Sequence, residues 1–261
     1  MKRLRVLVAC EFSGIVRDAF IARGHDAVSC DLLPTERPGP HIQGDVLAVL
    51  DDGWDMMIAH PPCTYLCSSG LHWNKRVQGR LQKTEDALVF VRALLAAPIP
   101  KIALENPIGC ISTRIQPYTQ AIQPWQFGED ASKNTCLWLD FLPKLVPTTI
   151  VPPKGYKLVK YAMALPDCPY CEEEKWCPDC EMHFADCDCY GPTQDGIEYF
   201  ERAGILFGRP EDETGKPVWA NQTPGGQNKL GPSPDRAKIR STTFQGIADA
   251  MATQWTLEAT P

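Results

Sequence analysis

The sequence predicts an α/β protein built on a doubly wound, mostly parallel sheet. Two features of the chain point to it. Short apolar runs of strand length recur through the first half of the chain, and the segments between them carry turn residues followed by helical spacing. A strand covered on both faces reads as an unbroken apolar run, which is how the residues from Arg5 to Cys10 read.

The elements follow in order. Arg5 to Cys10 is the first strand, Ser13-Gly14 is a turn, and Ile15, Val16, Ala19 and Phe20 share one face of a helix that stops at Gly24. Ala27 to Asp31, Trp54 to Ala59 and Lys101 to Glu105 are the next strands. Thr84 is read as the cap of a largely apolar helix reaching Ala97. Cys136 to Phe141, CLWLDF, is a further strand. Prolines at 143, 147, 152, 153 and 166 then break the pattern, and helical spacing returns from Ile239 to Trp255. The expected organisation is a body over 1–145, an inserted loop-rich region over 146–214 and a C-terminal segment over 215–261 that completes the body.

With 261 residues, 44% apolar and 22% charged, the chain can bury a core, which excludes a fibre, a mini-protein and a disordered tail. The net charge of -6 is unevenly placed: the stretch from Asp167 to Cys189 alone carries -7, leaving the remainder at +1. The overall acidity therefore does not exclude a polyanionic partner for the body. The basic N-terminus ending in LVAC resembles an export signal, but its apolar run stops at Glu11, short of the ~7 to 15 residues such a signal needs. No stretch approaches the ~20 apolar residues of a membrane span. The expected location is a cytoplasm, where clustered cysteines hold metal more readily than they form disulfides.

Half of the twelve cysteines lie between Cys168 and Cys189. Cys168, Cys171, Cys177 and Cys180 form two CxxC pairs, each able to offer two thiolates to a tetrahedral zinc from one tight turn. His183, Cys187 and Cys189 are rival ligands, so the ligand set and the number of ions stay open. A closed thiolate site leaves no position for substrate, which makes the expected zinc structural.

In an open parallel sheet ligands bind beyond the carboxyl ends of the strands. The first strand runs into Glu11-Phe12-Ser13-Gly14, which reads equally as a structural turn or as a loop placing backbone amides near a cofactor. The second ends at Asp31, placed to accept hydrogen bonds from ribose hydroxyls or simply to sit in an exposed turn. Asp45 follows in Gly44-Asp45-Val46. The third ends in His60-Pro61-Pro62-Cys63, where two prolines hold a thiol on a stiff loop, as a nucleophile requires. The fourth ends in Glu105-Asn106-Pro107, a carboxylate on the neighbouring loop. Two basic runs, His72 to Lys83 and Lys229 to Arg240, are either solvated surface or contacts to phosphates. Trp73 in the first of them suits base stacking or packing.

FSG after the first strand, PPC after one strand and ENP after another resemble the DNA cytosine carbon-5 methyltransferases. The likeness covers roughly residues 5 to 141, resumes near 226 to 255, and is nearest to the short phage-encoded type. It implies a Rossmann-like methyltransferase fold with S-adenosylmethionine held by Glu11, Phe12, Ser13, Gly14, Asp31, Asp45 and Pro61. It further implies that Cys63 attacks carbon 6 of a flipped-out or single-stranded cytosine while Glu105 assists at N3. Pro62, Asn106 and Lys133 are implied on the substrate side, with Lys133 standing in for the family's QxRxR element, of which there is no clear copy. A large target-recognition domain is also missing. Three other readings stay open. One is an amino-methyltransferase acting on adenine N6 or cytosine N4. Another is transfer of a modified group from a carboxylated cofactor analogue facing a base such as Arg17. The third is an inactive, zinc-stabilised DNA-binding protein.

Overall fold

The structure is a computed structural model and describes residues 2–161, 197–202, 205–210, 214–233 and 236–257. It divides into two compact units, one of Met1–Glu129, Lys133–Thr149 and Gly231–Pro261, the other of Asp130–Ser132 and Ile150–Leu230. The first contains β1 (Arg5–Ala9), α1 (Ile15–Ala22), β2 (Asp26–Asp31), β3 (His41–Gln43), β4 (Met56–Ala59), α2 (Ser68–Leu71) and α3 (Arg80–Leu95). After these come β5 (Ile102–Pro107), α4 (Ile111–Arg114), β6 (Gln120–Ile122) and β7 (Thr135–Asp140).

These strands form one seven-stranded sheet in the order β3-β2-β1-β4-β5-β7-β6, parallel except for β7, which runs antiparallel to both neighbours. The doubly wound, mostly parallel architecture read from the sequence is the one observed. The chain order reverses direction between β1 and β4, so the loops after these strands flank the crevice in which open sheets bind ligands.

Successive residues of a strand face opposite sides, and here both sides are covered. Val6, Val8, Met56, Ile58 and Ala103 pack with Val16, Ala19 and Phe20 of α1 and with Ile247, Ala248 and Met251 near the C-terminus. Leu7, Ala9, Met57, Ala59, Ile102 and Leu104 pack with Leu88, Val91 and Leu94 of α3 and with Trp54. The C-terminal segment, which forms α5 (Arg236–Ser241) and α6 (Gln245–Gln254), thus supplies part of the first unit's core.

Three local expectations are corrected. Thr84 does not cap α3. That helix begins a turn earlier after Gly79, and Thr84 is buried within it, its hydroxyl hydrogen-bonded to the Tyr65 carbonyl at 3.1 Å and to Asn74. The helical pattern from Ile239 to Trp255 is broken into α5 and α6, because Phe244 is extended and serves as the cap residue of the second helix. The strand expected from Trp54 starts at Met56 instead. Trp54 is buried beside it, with its indole N–H donated to the Val49 carbonyl at 2.7 Å.

The second unit contains a three-stranded antiparallel sheet in the order β8 (Lys157–Tyr161), β10 (Ile205–Pro210), β9 (Ile197–Arg202). Buried Trp219 donates its indole N–H to the Val151 carbonyl at 2.9 Å, and the Arg209 guanidinium lies over the Tyr156 ring. The expected zinc ligands Cys168, Cys171, Cys177, Cys180, His183, Cys187 and Cys189 lie outside the described residues. Among the described residues no cluster of metal-ligating side chains occurs, and no helix is long and apolar enough to cross a membrane.

Candidate active site

The chain after β4 leaves as His60-Pro61-Pro62-Cys63, and the chain after β5 as Ile108-Gly109-Cys110. Backbone hydrogen bonds join the two loops: the Cys110 N–H reaches the Leu66 carbonyl and the Ser68 N–H the Ile108 carbonyl, both at 2.9 Å. They approach so closely that a Cβ at Gly109 would lie 1.9 Å from the Leu66 carbonyl oxygen. Only glycine permits this contact.

Side chains tie the loops a second time. His60 Nδ1 hydrogen-bonds Glu105 Oε2 at 2.9 Å, both groups being nearly buried, and Asn106 Nδ2 donates to the Pro61 carbonyl at 2.7 Å. Burial opposes ionisation of Glu105, but the Lys133 ammonium and the His60 hydrogen bond outweigh it and hold the carboxyl below its ordinary range. Glu105 is therefore a buried carboxylate at neutral pH.

Cys63 shares this corner. A hydrogen bond to Cys67 and burial push its thiol well up; the Glu105 charge adds to the rise and the Lys133 charge opposes it. Cys67 moves the other way, down to about 5. The hydrogen bond from Cys63 favours its thiolate, burial opposes this, and Ser69, the Gly70 N–H and the Arg240 charge add to the lowering. The two thiols are thus coupled, with the thiolate opposed at Cys63 and favoured at Cys67. The structure brings Cys63, Glu105, Asn106 and Lys133 together, along with His60 and Cys67, which sequence reasoning passed over. His60 carried a signal, as a polar residue between a buried strand and two prolines. Cys67 carried only its spacing of four from Cys63.

A cavity of about 500 Å³ is lined in part by the loop after β4, through Pro62, Tyr65 and Leu66. Leu32, Val46, Leu47, Pro62 and Phe90 contribute apolar surface, and Asp31, Asp45 and Asp86 contribute carboxylates. Asp31 and Asp45 are oriented by their own loops, since each accepts a backbone N–H two residues on, from Leu33 at 2.8 Å and from Leu47 at 3.0 Å. Of the residues implied around a cofactor, Asp31 and Asp45 line this cavity. Pro62, implied on the substrate side, lines it too, while Pro61, expected at the cofactor, is not among the lining residues.

The loop after β1 is arranged differently. The Glu11 carboxylate folds onto the start of α1, accepting the Val16 N–H at 2.7 Å, the Arg17 N–H at 3.3 Å and the Ser13 hydroxyl. Its negative charge at a helix N-terminus is favourable. Gly14, at φ 75°, provides the left-handed turn into α1. Glu11, Phe12 and Ser13 border a small recess with His60, Ser241, Thr242 and Thr243 rather than the main cavity.

Arg17 faces elsewhere than a cofactor analogue would require. Its side chain is fully buried and donates to Ser29, Thr35 and the carbonyls of Arg37 and Pro38, tying down the loop between β2 and β3. The basic run after Cys63 divides in two. Arg80 donates to the Thr64 carbonyl and lies over the Tyr65 ring, which Lys83 also approaches, whereas Lys75 and Arg76 are exposed beside a half-exposed Trp73. In the second run, Lys238 pairs with Glu36 and Lys229 donates to the Ala220 carbonyl.

No family model matches the sequence, and no curated protein matches it. Among solved structures, a prophage-encoded E. coli protein described as a candidate DNA modification methyltransferase aligns with TM-score 0.36 and 14% identity, covering 61% of this chain. The chain spans 61% of that protein's length as well.

Proposed function

We propose that the protein is an S-adenosylmethionine-dependent DNA cytosine carbon-5 methyltransferase. The observation that carries the reading is the placement of Cys63 and Glu105 on two loops bound to one another, beside a cavity with two oriented aspartates at the carboxyl ends of β2 and β3. The cavity suits the cofactor. Its volume falls in the range of small-molecule sites, its walls offer apolar faces to an adenine ring, and the Asp31 carboxylate accepts hydrogen bonds of the kind a ribose donates. When bound there, S-adenosylmethionine supplies the methyl group.

The chain's own residues perform the rest. Cys63 passes its proton to the Cys67 thiolate to which it is hydrogen-bonded, and its sulfur bonds to carbon 6 of the cytosine, which moves electron density toward carbon 5 and N3. Glu105, fixed and ionised beside Lys133, stabilises the charge that develops on the N3 and amine edge. Once carbon 5 carries the methyl group, its proton is lost to solvent water, the C–H electrons restore the carbon 5–carbon 6 double bond, and the sulfur leaves as the Cys63 thiolate. The pyrimidine must leave a duplex, or come single-stranded, to present its face to the half-buried Cys63 thiol. Exposed Lys75 and Arg76 beside Trp73 are suited to backbone phosphates and an unstacked base.

DNA containing 5-fluorocytosine tests the reading, since the fluorine cannot leave as a proton does. A covalent protein–DNA adduct that requires the cofactor and disappears in Cys63→Ala supports it; no adduct from the wild type overturns it. Mass spectrometry of modified DNA identifies the base and the group transferred. Structural zinc at the two CxxC pairs is a separate proposal, carried by their spacing. Metal analysis of purified protein should find zinc, which is lost when Cys168 and Cys171 become Ser.

A further inference from the structure

We propose that His60 is a positioning residue for Glu105: its Nδ1–H holds Oε2 of the carboxylate and leaves Oε1 to meet the edge of the pyrimidine. The inference rests on the function proposed above and deepens it.

The geometry sets the roles. The 2.9 Å contact joins two side chains that are nearly buried, so it is shielded from competing water. Glu105 is held as a carboxylate and must accept, which makes Nδ1 the donor. Nε2 is buried and has no partner among the described residues. With its far nitrogen enclosed and its near nitrogen on the carboxylate, the ring has one direction in which to donate, and His60 acts as a fixed donor to Glu105.

The position in the chain explains why this donor is stiff. His60 follows β4 directly, its backbone N–H bonds the Ala9 carbonyl at 2.9 Å, and two prolines follow it. Asn106 reaches back from the Glu105 loop to Pro61, so residues 60 and 61 grip 105 and 106 in a reciprocal pair of bonds. With Lys133 supplying charge from before β7 and His60 supplying direction, Glu105 is held without an arginine fork.

Three variants test this through single-turnover methylation at saturating cofactor and DNA, with both dissociation constants and the melting temperature measured alongside. In His60→Asn the new side-chain amide falls where the imidazole Nδ1 lies, so that variant should stay within about fivefold of the wild-type rate, because geometry is conserved. In His60→Ala the carboxylate loses its anchor and the rate should fall about 100-fold, with cofactor and DNA binding nearly unchanged. His60→Gln carries its amide one carbon further out and should be slow while remaining folded, which keeps the test intact if the alanine variant does not fold. A wild-type rate in His60→Ala or His60→Gln overturns the proposal, as does a loss in His60→Asn as deep as in the other two. A wild type that modifies no cytosine overturns the function and this role with it, whereas an active wild type with indifferent variants overturns this role alone.

Discussion

The corner that holds Cys63 and Glu105 and the cavity that holds Asp31 and Asp45 share the loop after β4, yet they are braced by different means. The corner is made of loops bound to loops: two backbone hydrogen bonds, the His60–Glu105 and Asn106–Pro61 pairs, and a glycine contact that admits no side chain. The cavity gathers the ends of β1 and β2, the segment after β3, one face of α3 and part of the loop after β4, with Asp31 and Asp45 each braced within its own loop. Bond-forming groups must be held within a fraction of an ångström, and mutual bonding achieves that. A cofactor gathers its affinity from many contacts and tolerates walls that stand independently.

Substitutions probe this contrast, the deepest loss first. Cys63→Ala should abolish fluorocytosine trapping and lower methylation by about 10³-fold or more, since no other thiol replaces an aligned nucleophile. Glu105→Gln should cost about 10² to 10³-fold in the single-turnover rate, the range for removing one electrostatic stabiliser. Glu105 also links the corner to pH. Its carboxyl is held below the ordinary range, so its contribution to stability is present above the unfolded-state value and is lost as pH falls through the lowered one. Glu105→Gln should flatten that acid limb in denaturation curves measured at several pH values.

Gly109→Ala strains the loop that the two regions share. The new Cβ would meet the Leu66 carbonyl, so the loops must part, costing about 2–4 kcal/mol of stability and slowing turnover. Because Leu66 also lines the cavity, cofactor affinity should weaken as well, though less than turnover, and unchanged turnover would show that this contact does not hold the corner. Asp31→Ala should do the reverse, weakening cofactor binding about tenfold by calorimetry while leaving the melting temperature nearly constant. The smallest effect concerns the thiols. With Cys67 held down to about 5 and Cys63 pushed up, brief alkylation at pH 7 should label Cys67 first, as read by peptide mass spectrometry.

Much of this was legible in the sequence because a parallel sheet writes itself plainly. Each of β1, β4, β5 and β7 contains an apolar run buried on both faces of the sheet, while β2 is interrupted by buried Ser29 and only half-buried at Val28. The three-residue strands β3 and β6 left no such trace, for they are edge strands too short to show a period. Thr84 misled because threonine is a frequent helix cap. What places it inside α3 is a bond to Tyr65, a residue nineteen positions away, and no local propensity records that. The break between α5 and α6 was signalled by the polar Ser241-Thr242-Thr243 run, which the apolar spacing on either side of it hid.

The same division holds at the site. Cys63 after two prolines, Glu105 at the next strand end, and aspartates at Asp31 and Asp45 are identities at strand ends, and the rule that ligands gather there makes them readable one by one. Which of them meet is a property of folding. The His60 ring on Glu105, the coupling of Cys63 to Cys67, the approach of Lys133 to Glu105 and the engagement of Arg17 with the β2–β3 loop all join residues distant in the chain or turn on local dihedral angles. Periodicity and residue type were enough to specify the sheet and the chemistry waiting at the ends of its strands. The pairing of donors with acceptors was settled only by folding, because hydrogen bonds between loops depend on angles and distances that the packed sheet imposes.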